Sequence, residues 1–399
     1  MALSTVQQQN KLVQYTQQIN REYVRENLFS PYMGEAINAI IRLRMETKRG
    51  GEQMNIPLVA RLVGQGFSNG TLVGNEEAID DYGYRLYVDY ARNAVKTNKY
   101  QMQIDSADIF GEAKPLLADW GKELQRDEII EALQALPVEA APAGLAGDVG
   151  QRVNGVLYQE ATAAQLNAWN SDNNDRILYG NTTANLNLTH ATALATINNN
   201  NTAGGPVPTD GVFTGQSVQL MKYLARHCFP RIRPFKIEDG REYFVIFAGG
   251  LPFRNLKRDL LVVNKDARPR EGRAMNDNPI FQDGDLVYDG CIIREIPEID
   301  EFVAQTWTSL LTAGASSVRV NPVYLCGQTA ATIAWGQMAK PTFLKEDDYQ
   351  FFTGVGVEMC YGVGKVFKKH PKTSSTGVTP GQGLKQWGVV TGFFGNTAT

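Results

Sequence analysis

The segment Met54-Asn-Ile-Pro-Leu-Val-Ala-Arg-Leu62, followed after a glycine-punctuated connection by Tyr84-Arg-Leu-Tyr-Val-Asp-Tyr90, decides the fold. Met54, Ile56, Leu58, Ala60 and Leu62 alternate with Asn55, Pro57, Val59 and Arg61, the period-two pattern of a strand. The second run alternates in the same way and leads into Arg92 and Lys96. The connection carries Glu76, Glu77, Asp80 and Asp81, so a ribbon with an acidic tip and basic stems at Arg61, Arg85 and Arg92 is expected. Two strands of roughly ten residues reach about 33 Å. A lone two-stranded ribbon is at best marginally stable in water, so it needs either the rest of its own chain or a neighbouring molecule to lie on. The charges suit head-to-tail contact between identical copies, although two solvated strand faces would carry the same residues. The expectation adopted is that another copy of the molecule completes the ribbon.

Working outward, residues 1 to about 30 are polar and Gln-rich, with apolar side chains only loosely at helical spacing. They predict an arm that depends on a partner surface, with Tyr15 and Tyr23 as contact candidates. Ala36 to Met45 is predicted as a short helix. On the other side, Phe110, Ala113, Leu117, Trp120 and Leu124 recur at three- and four-residue spacing, which predicts one long helix over Ser106 to Ala135. Pro115 either kinks that helix or sits in the first turn of a second one. Pro137 to Gly150 reads as a linker, and the Asn/Thr-rich stretch at about 167–205 as a lightly structured surface insertion.

Beyond Pro208, Ser217 to Cys228 predicts a helix with Val218, Met221, Leu224 and Ala225 on one face. Glu242 to Ala248, Asp289 to Glu295 and Trp387 to Phe394 predict strands, and Thr329 to Met338 a small-residue helix. Strands scattered among helices make the chain α+β.

The chain has 399 residues, 43% hydrophobic and 20% charged, which is globular composition with length enough for a sizeable core. Lys+Arg 39 against Asp+Glu 42 leaves a net charge of -3, which argues against a protein that works by neutralising nucleic-acid phosphates. No run of about 18 apolar residues predicts a membrane span, and the first residues lack the pattern of a secretory signal. The four cysteines are widely spaced and are expected to be reduced, buried and held in a reducing cytoplasm.

Only three histidines occur, and His227 beside Cys228 is expected to be structural, since neighbours on a helix point about 100° apart. Asp172-Asn-Asn-Asp175 lacks the glycine and distal glutamate of a calcium loop. The glycines at 354, 356, 362 and 364 are wrongly spaced for a dinucleotide fingerprint. No catalytic residue, cofactor or metal site is predicted.

The order of arm, ribbon, long helix, α/β middle and returning C-terminal sheet resembles the HK97-like fold of tailed-bacteriophage major capsid proteins. Within that fold the likeness is to N4-like phages. It is carried by Ile56-Pro-Leu-Val-Ala-Arg-Leu62, Leu72-Val-Gly-Asn-Glu-Glu-Ala78, Ala118-Asp-Trp120, Asp289-Gly-Cys-Ile-Ile293, Tyr324-Leu-Cys-Gly-Gln-Thr-Ala330 and Gly377-Val378.

The resemblance implies an N-terminal arm over 1–50, an extended β-hairpin loop over 51–103 and a peripheral-domain spine helix over 104–136. It further implies an axial domain over 137–345 and a return to the peripheral domain over 346–399. It also implies self-assembly as hexamers and pentamers into an icosahedral shell in the host cytoplasm, around double-stranded DNA held without sequence-specific binding. Portal, scaffolding and decoration proteins would be its other partners, with no membrane. An encapsulin-like nanocompartment shell and a cytosolic enzyme are the alternatives.

Overall fold

The computed structural model describes residues 22, 24–45, 53–59, 62, 66, 68–77, 79, 81–104, 110–137, 152–158, 160–183, 188–199, 211–238, 240–267, 285–301, 318–344, 349, 351–369 and 383–397. Two large sheets carry the architecture. In the first, Met33–Gly34, Ile41–Met45, Ala331–Phe343, Phe352–Lys365 and Asp89–Asn98 lie side by side in that order. Val153–Asn154 also pairs with Phe352–Lys365. In the second, the order is Asp285–Tyr288, Cys291–Glu295, Arg241–Ala248, Val318–Cys326, Val389–Thr397 and Ile177–Tyr179, with Lys236–Glu238 paired to Arg241–Ala248.

The long helix Ala113–Gln134 joins the sheets. Its 22 residues span about 33 Å. Ile129, Ile130 and Leu133 pack with Ile333, Met359 and Tyr361 of the first sheet and with Val245, Phe247 and Tyr324 of the second, in one continuous core. The helices Gly215–His227 and Gly250–Ala267 cover the second sheet through Val218, Met221, Phe253 and Leu256. The predicted face of the first of these is the one that is buried.

Several expectations are corrected. Ala36 to Met45 is not a helix. Ile41–Met45 is a strand running parallel to Ala331–Trp335, and buried Phe29, Ile40 and Ile41 place this stretch in the main core, while the arm expected before it lies mostly outside the described residues. Most of Thr329 to Met338 is likewise strand, because Ala331–Phe343 is hydrogen-bonded to a neighbour on each side and this tertiary pairing overrides the helix preference of its alanines. The long helix begins at Ala113, with Pro115 in its first turn, where the missing N–H has no intrahelical partner to lose. It runs unbroken through Arg126 to Glu128.

Over its described residues the Asn/Thr-rich stretch is folded rather than lightly structured. Its helices Ala163–Asp172 and His190–Asn199 and strand Ile177–Tyr179 bury Leu166, Trp169, Tyr179, Leu194 and Ile197 around Phe393. The linker predicted between Pro137 and Gly150 lies outside the described residues after its first residue.

Candidate assembly surfaces

The predicted ribbon forms from Gln53–Val59 and Asp81–Tyr87, in antiparallel register with Ile56 opposite Tyr84. Alternate residues are buried and exposed, as the sequence pattern demands. Its inner face, Met54, Ile56, Leu58, Tyr84 and Leu86, packs on Ala334, Val366 and Phe367 of the same chain, with Leu384 and Trp387 alongside. The Tyr84 and Phe367 rings meet edge to face at 4.9 Å. Asn154 clamps the ribbon's end: its Oδ1 accepts from Tyr87 N at 2.9 Å and its Nδ2 donates to Tyr87 O at 3.0 Å. Another copy is therefore not needed to complete the ribbon's base. The buried face is supplied from within, by a pair of short strands, Phe367–Lys369 and Leu384–Gln386, close to its root.

Beyond that base the tip is exposed. Asn75 N donates to Leu72 O and Asn75 Nδ2 to Thr71 O, both at 3.0 Å, while Gly74 takes a φ of +90 and donates to Glu76 Oε2 at 2.7 Å. Leu72 and Val73 stand in solvent at 62% and 79% exposure. Of the predicted contact residues, Glu76, Glu77 and Asp81 gather at this exposed end and Arg85 lies on the ribbon's outer face. Arg92 is on the next strand, exposed and opposite Glu358 in register. Tyr15, Tyr23, Arg61 and Asp80 lie outside the described residues.

Sequence reasoning missed a second surface. At the open end of the first sheet, Phe343, Leu344, Tyr349 and Phe351 are exposed together with Tyr100, Met102 and Ile104 of the short helix Lys99–Ile104. Leu344 N bonds Gly354 O and Lys99 N bonds Phe351 O, which binds these segments to the same sheet end. Lys114 lies over the Phe343 ring, bringing the start of the long helix to the patch. Exposed apolar clusters of this kind mark interaction sites. The signal available in sequence was the run Pro341-Thr-Phe-Leu344 and Tyr349-Gln-Phe-Phe352, which a helix reading of the preceding stretch obscured.

A family model described as phage capsid protein matches residues 4–376. The chain belongs to the phage capsid protein family. Over its full length, and the full length of the other chain, it is similar to the capsid asymmetric unit of cyanophage Pam1, with 33% identity and a TM-score of 0.79. The capsid of Ralstonia phage GP4 shares the fold at 16% identity and a TM-score of 0.63, covering 98% of this chain and 96% of that one. The capsid of Helicobacter pylori bacteriophage KHP30 does so at 13% and 0.63, covering 97% and 96%. No curated protein sequence matches. The α+β architecture is accordingly the HK97-like capsid fold, and the chain is a structural major capsid protein of the virion shell, not an enzyme.

The cysteines, His190, His227 and the Asp172-Asn-Asn-Asp175 cluster pack and bond as structural residues in this capsid protein. All four cysteines are buried and free. Cys228 donates to the Ala225 carbonyl, and the His227 ring stacks on Tyr223. His190 is buried, its Nδ1 2.6 Å from the Tyr179 hydroxyl, and burial pulls its pKa down to about 4. Asn173 donates to the carbonyls of Trp169 and Leu384. Asp175 faces Arg176 and Lys385. Burial alone would raise its carboxyl, but these cations and the Phe229 amide outweigh it and hold it at about 2. Buried Arg176 also donates to the Gln386 and Phe229 carbonyls, tying the Asn-rich region to the C-terminal strands. Among the described residues no group of His, Cys, Asp or Glu could hold a metal, and no helix is long and apolar enough to cross a membrane.

Proposed function

We propose that this chain is the repeating subunit of an icosahedral shell around a tailed phage's double-stranded DNA, built as hexamers and pentamers in the host cytoplasm. Portal, scaffolding and decoration proteins are the further partners in this reading, and N4-like phages the source group. The full-length likeness to the Pam1 capsid unit is the observation that carries it. The long helix and the first sheet make the peripheral domain, and the second sheet with its helices the axial one. This assignment moves Ala331–Phe343 out of the expected axial stretch 137–345 and Val389–Thr397 out of the expected peripheral return 346–399. The net charge of -3 suits a container that must release its DNA, since a basic wall would hold phosphates. Electron microscopy of the purified chain tests the reading: closed, uniform particles tens of nanometres across are expected. A chain that remains in small discrete oligomers at every concentration and salt would contradict it.

A further inference from the structure

We propose that the acidic ribbon tip of one copy seats in an arginine-lined cleft of its neighbour, a contact that rests on the shell reading above. The cleft, of about 520 Å³, lies between the end of helix Gly215–His227, the stretch Arg231 to Pro234, and the hairpin at Gly240 and Glu242. Arg226 is paired with Glu242 at 2.6 Å, so those two charges cancel. Arg231 and Arg233 are exposed, and neither has an ion-pair partner among the described residues.

Their placement is fixed by the fold. Ile232 between them is buried at 3% exposure, while Arg231 and Arg233 on either side of it are exposed. Ile232 N donates to Ala225 O and Gln328 N to Arg233 O, which anchors the backbone on both sides. A rigid cationic concavity thus stands open on a chain whose net charge is -3. Ile237 is opposite Glu242 in the hairpin register and is 64% exposed, adding an apolar side chain on the same face as a cleft-lining residue.

The tip has the complementary make-up. Glu76 and Glu77 follow exposed Leu72 and Val73 in a turn already held by its own hydrogen bonds, so little ordering remains to be done on contact. Carboxylates fit arginine forks, and the apolar pair fits Ile237. DNA phosphates would also suit the arginines but leave the isoleucine unused, which favours the protein tip. Tip and cleft are different patches, so the contact is head-to-tail and can close a ring of subunits.

Charge exchange tests this. Arg231→Glu with Arg233→Glu, and separately Glu76→Lys with Glu77→Lys, are each expected to cut particle yield about tenfold, the effect of losing roughly 1.4 kcal/mol of contact energy. The unfolding temperature of the unassembled chain is expected to stay unchanged. Combining all four substitutions should restore particles. Because Glu76 also holds the tip turn, Glu76→Gln with Glu77→Gln keeps an acceptor there and should still weaken assembly and its salt sensitivity. Normal yield from either double variant, or folded four-fold variants that stay unassembled, would overturn the pairing. Arginine variants that assemble normally yet retain less DNA would overturn it too and assign the cleft to phosphates. A wild-type chain that forms no particles would count against the shell reading itself.

Discussion

Lys365 is a buried cation in the core. It is 2% exposed, and its Nζ donates to Leu133 O at the end of the long helix, to the Tyr158 hydroxyl at 3.5 Å and, with the amide so oriented, to the Gln386 oxygen at 3.1 Å. Burial pulls its pKa from 10.5 to about 7. Between those values the unfolded chain holds a proton that the folded one lacks, so this group makes stability rise with pH through that window. Lys365→Met should therefore gain on the wild type below pH about 7 and lose that advantage by pH about 10, read as unfolding temperatures across buffers. Glu131 has the opposite sign. Burial, then the charges of Glu128 and Asp127, raise its carboxyl from 4.5 to about 7, so its contribution is present below the lower value and lost as pH rises through the upper one. Glu131→Gln should be neutral in acid and stabilising above neutrality, and a constant difference across pH would refute the assignment. At Gly362 a Cβ would overlap the Tyr87 carbonyl that Asn154 holds in place. Gly362→Ala is expected to cost about 1–3 kcal/mol in denaturant unfolding.

Among elements, the ribbon shows what a pattern does and does not specify. Its alternation named the buried face correctly, since Met54, Ile56, Leu58, Tyr84 and Leu86 are the residues that go inside. It could not name the cover, because Phe367 and Trp387 lie some three hundred positions away and nothing local points to them. Phe367→Ala should cost about 3–5 kcal/mol. Amide exchange should quicken in Gln53–Val59 and Asp81–Tyr87 first, while Phe352–Lys365 stays protected. Unchanged ribbon exchange would mean that this ring does not hold it. Helix Gly215–His227 was legible because burial selects one face of it, whereas the long helix was legible from the apolar spacing of its first half, its second half being buried nearly all round. Ala331–Phe343 was not, since its alanines favour helix while the pairing with both neighbours decides for strand. Asparagine hid the core of the insertion. Asn170 and Asn173 are buried and donate to the backbone carbonyls of Leu188 and Leu384. Of the assembly surfaces, the acidic tip was readable from charge, whereas Arg231 and Arg233 become a cleft only once the hairpin folds beside them.

For the whole molecule, surface and stability separate. Phe343 and Tyr349 are 61% and 99% exposed, so Phe343→Ser with Tyr349→Ser should shift the chain's own stability by no more than about 0.5 kcal/mol. Particle formation should fall sharply in light scattering, and undiminished assembly would show that the patch faces solvent in the shell. Interior pairing has a different consequence. Strand Val389–Thr397 lies between Val318–Cys326 and Ile177–Tyr179, and Ile41–Met45 lies against Ala331–Trp335. The first sheet cannot close before Phe352–Lys365 is made, and the second cannot close while the ribosome is still adding the residues near position 390. Early segments must wait, unpaired, for partners not yet synthesised, and such non-local topologies fold slowly. Synthesis itself thus times the supply of building blocks: a nascent polypeptide stalled before Val389–Thr397 has an unclosed second sheet and no finished subunit to offer a growing lattice.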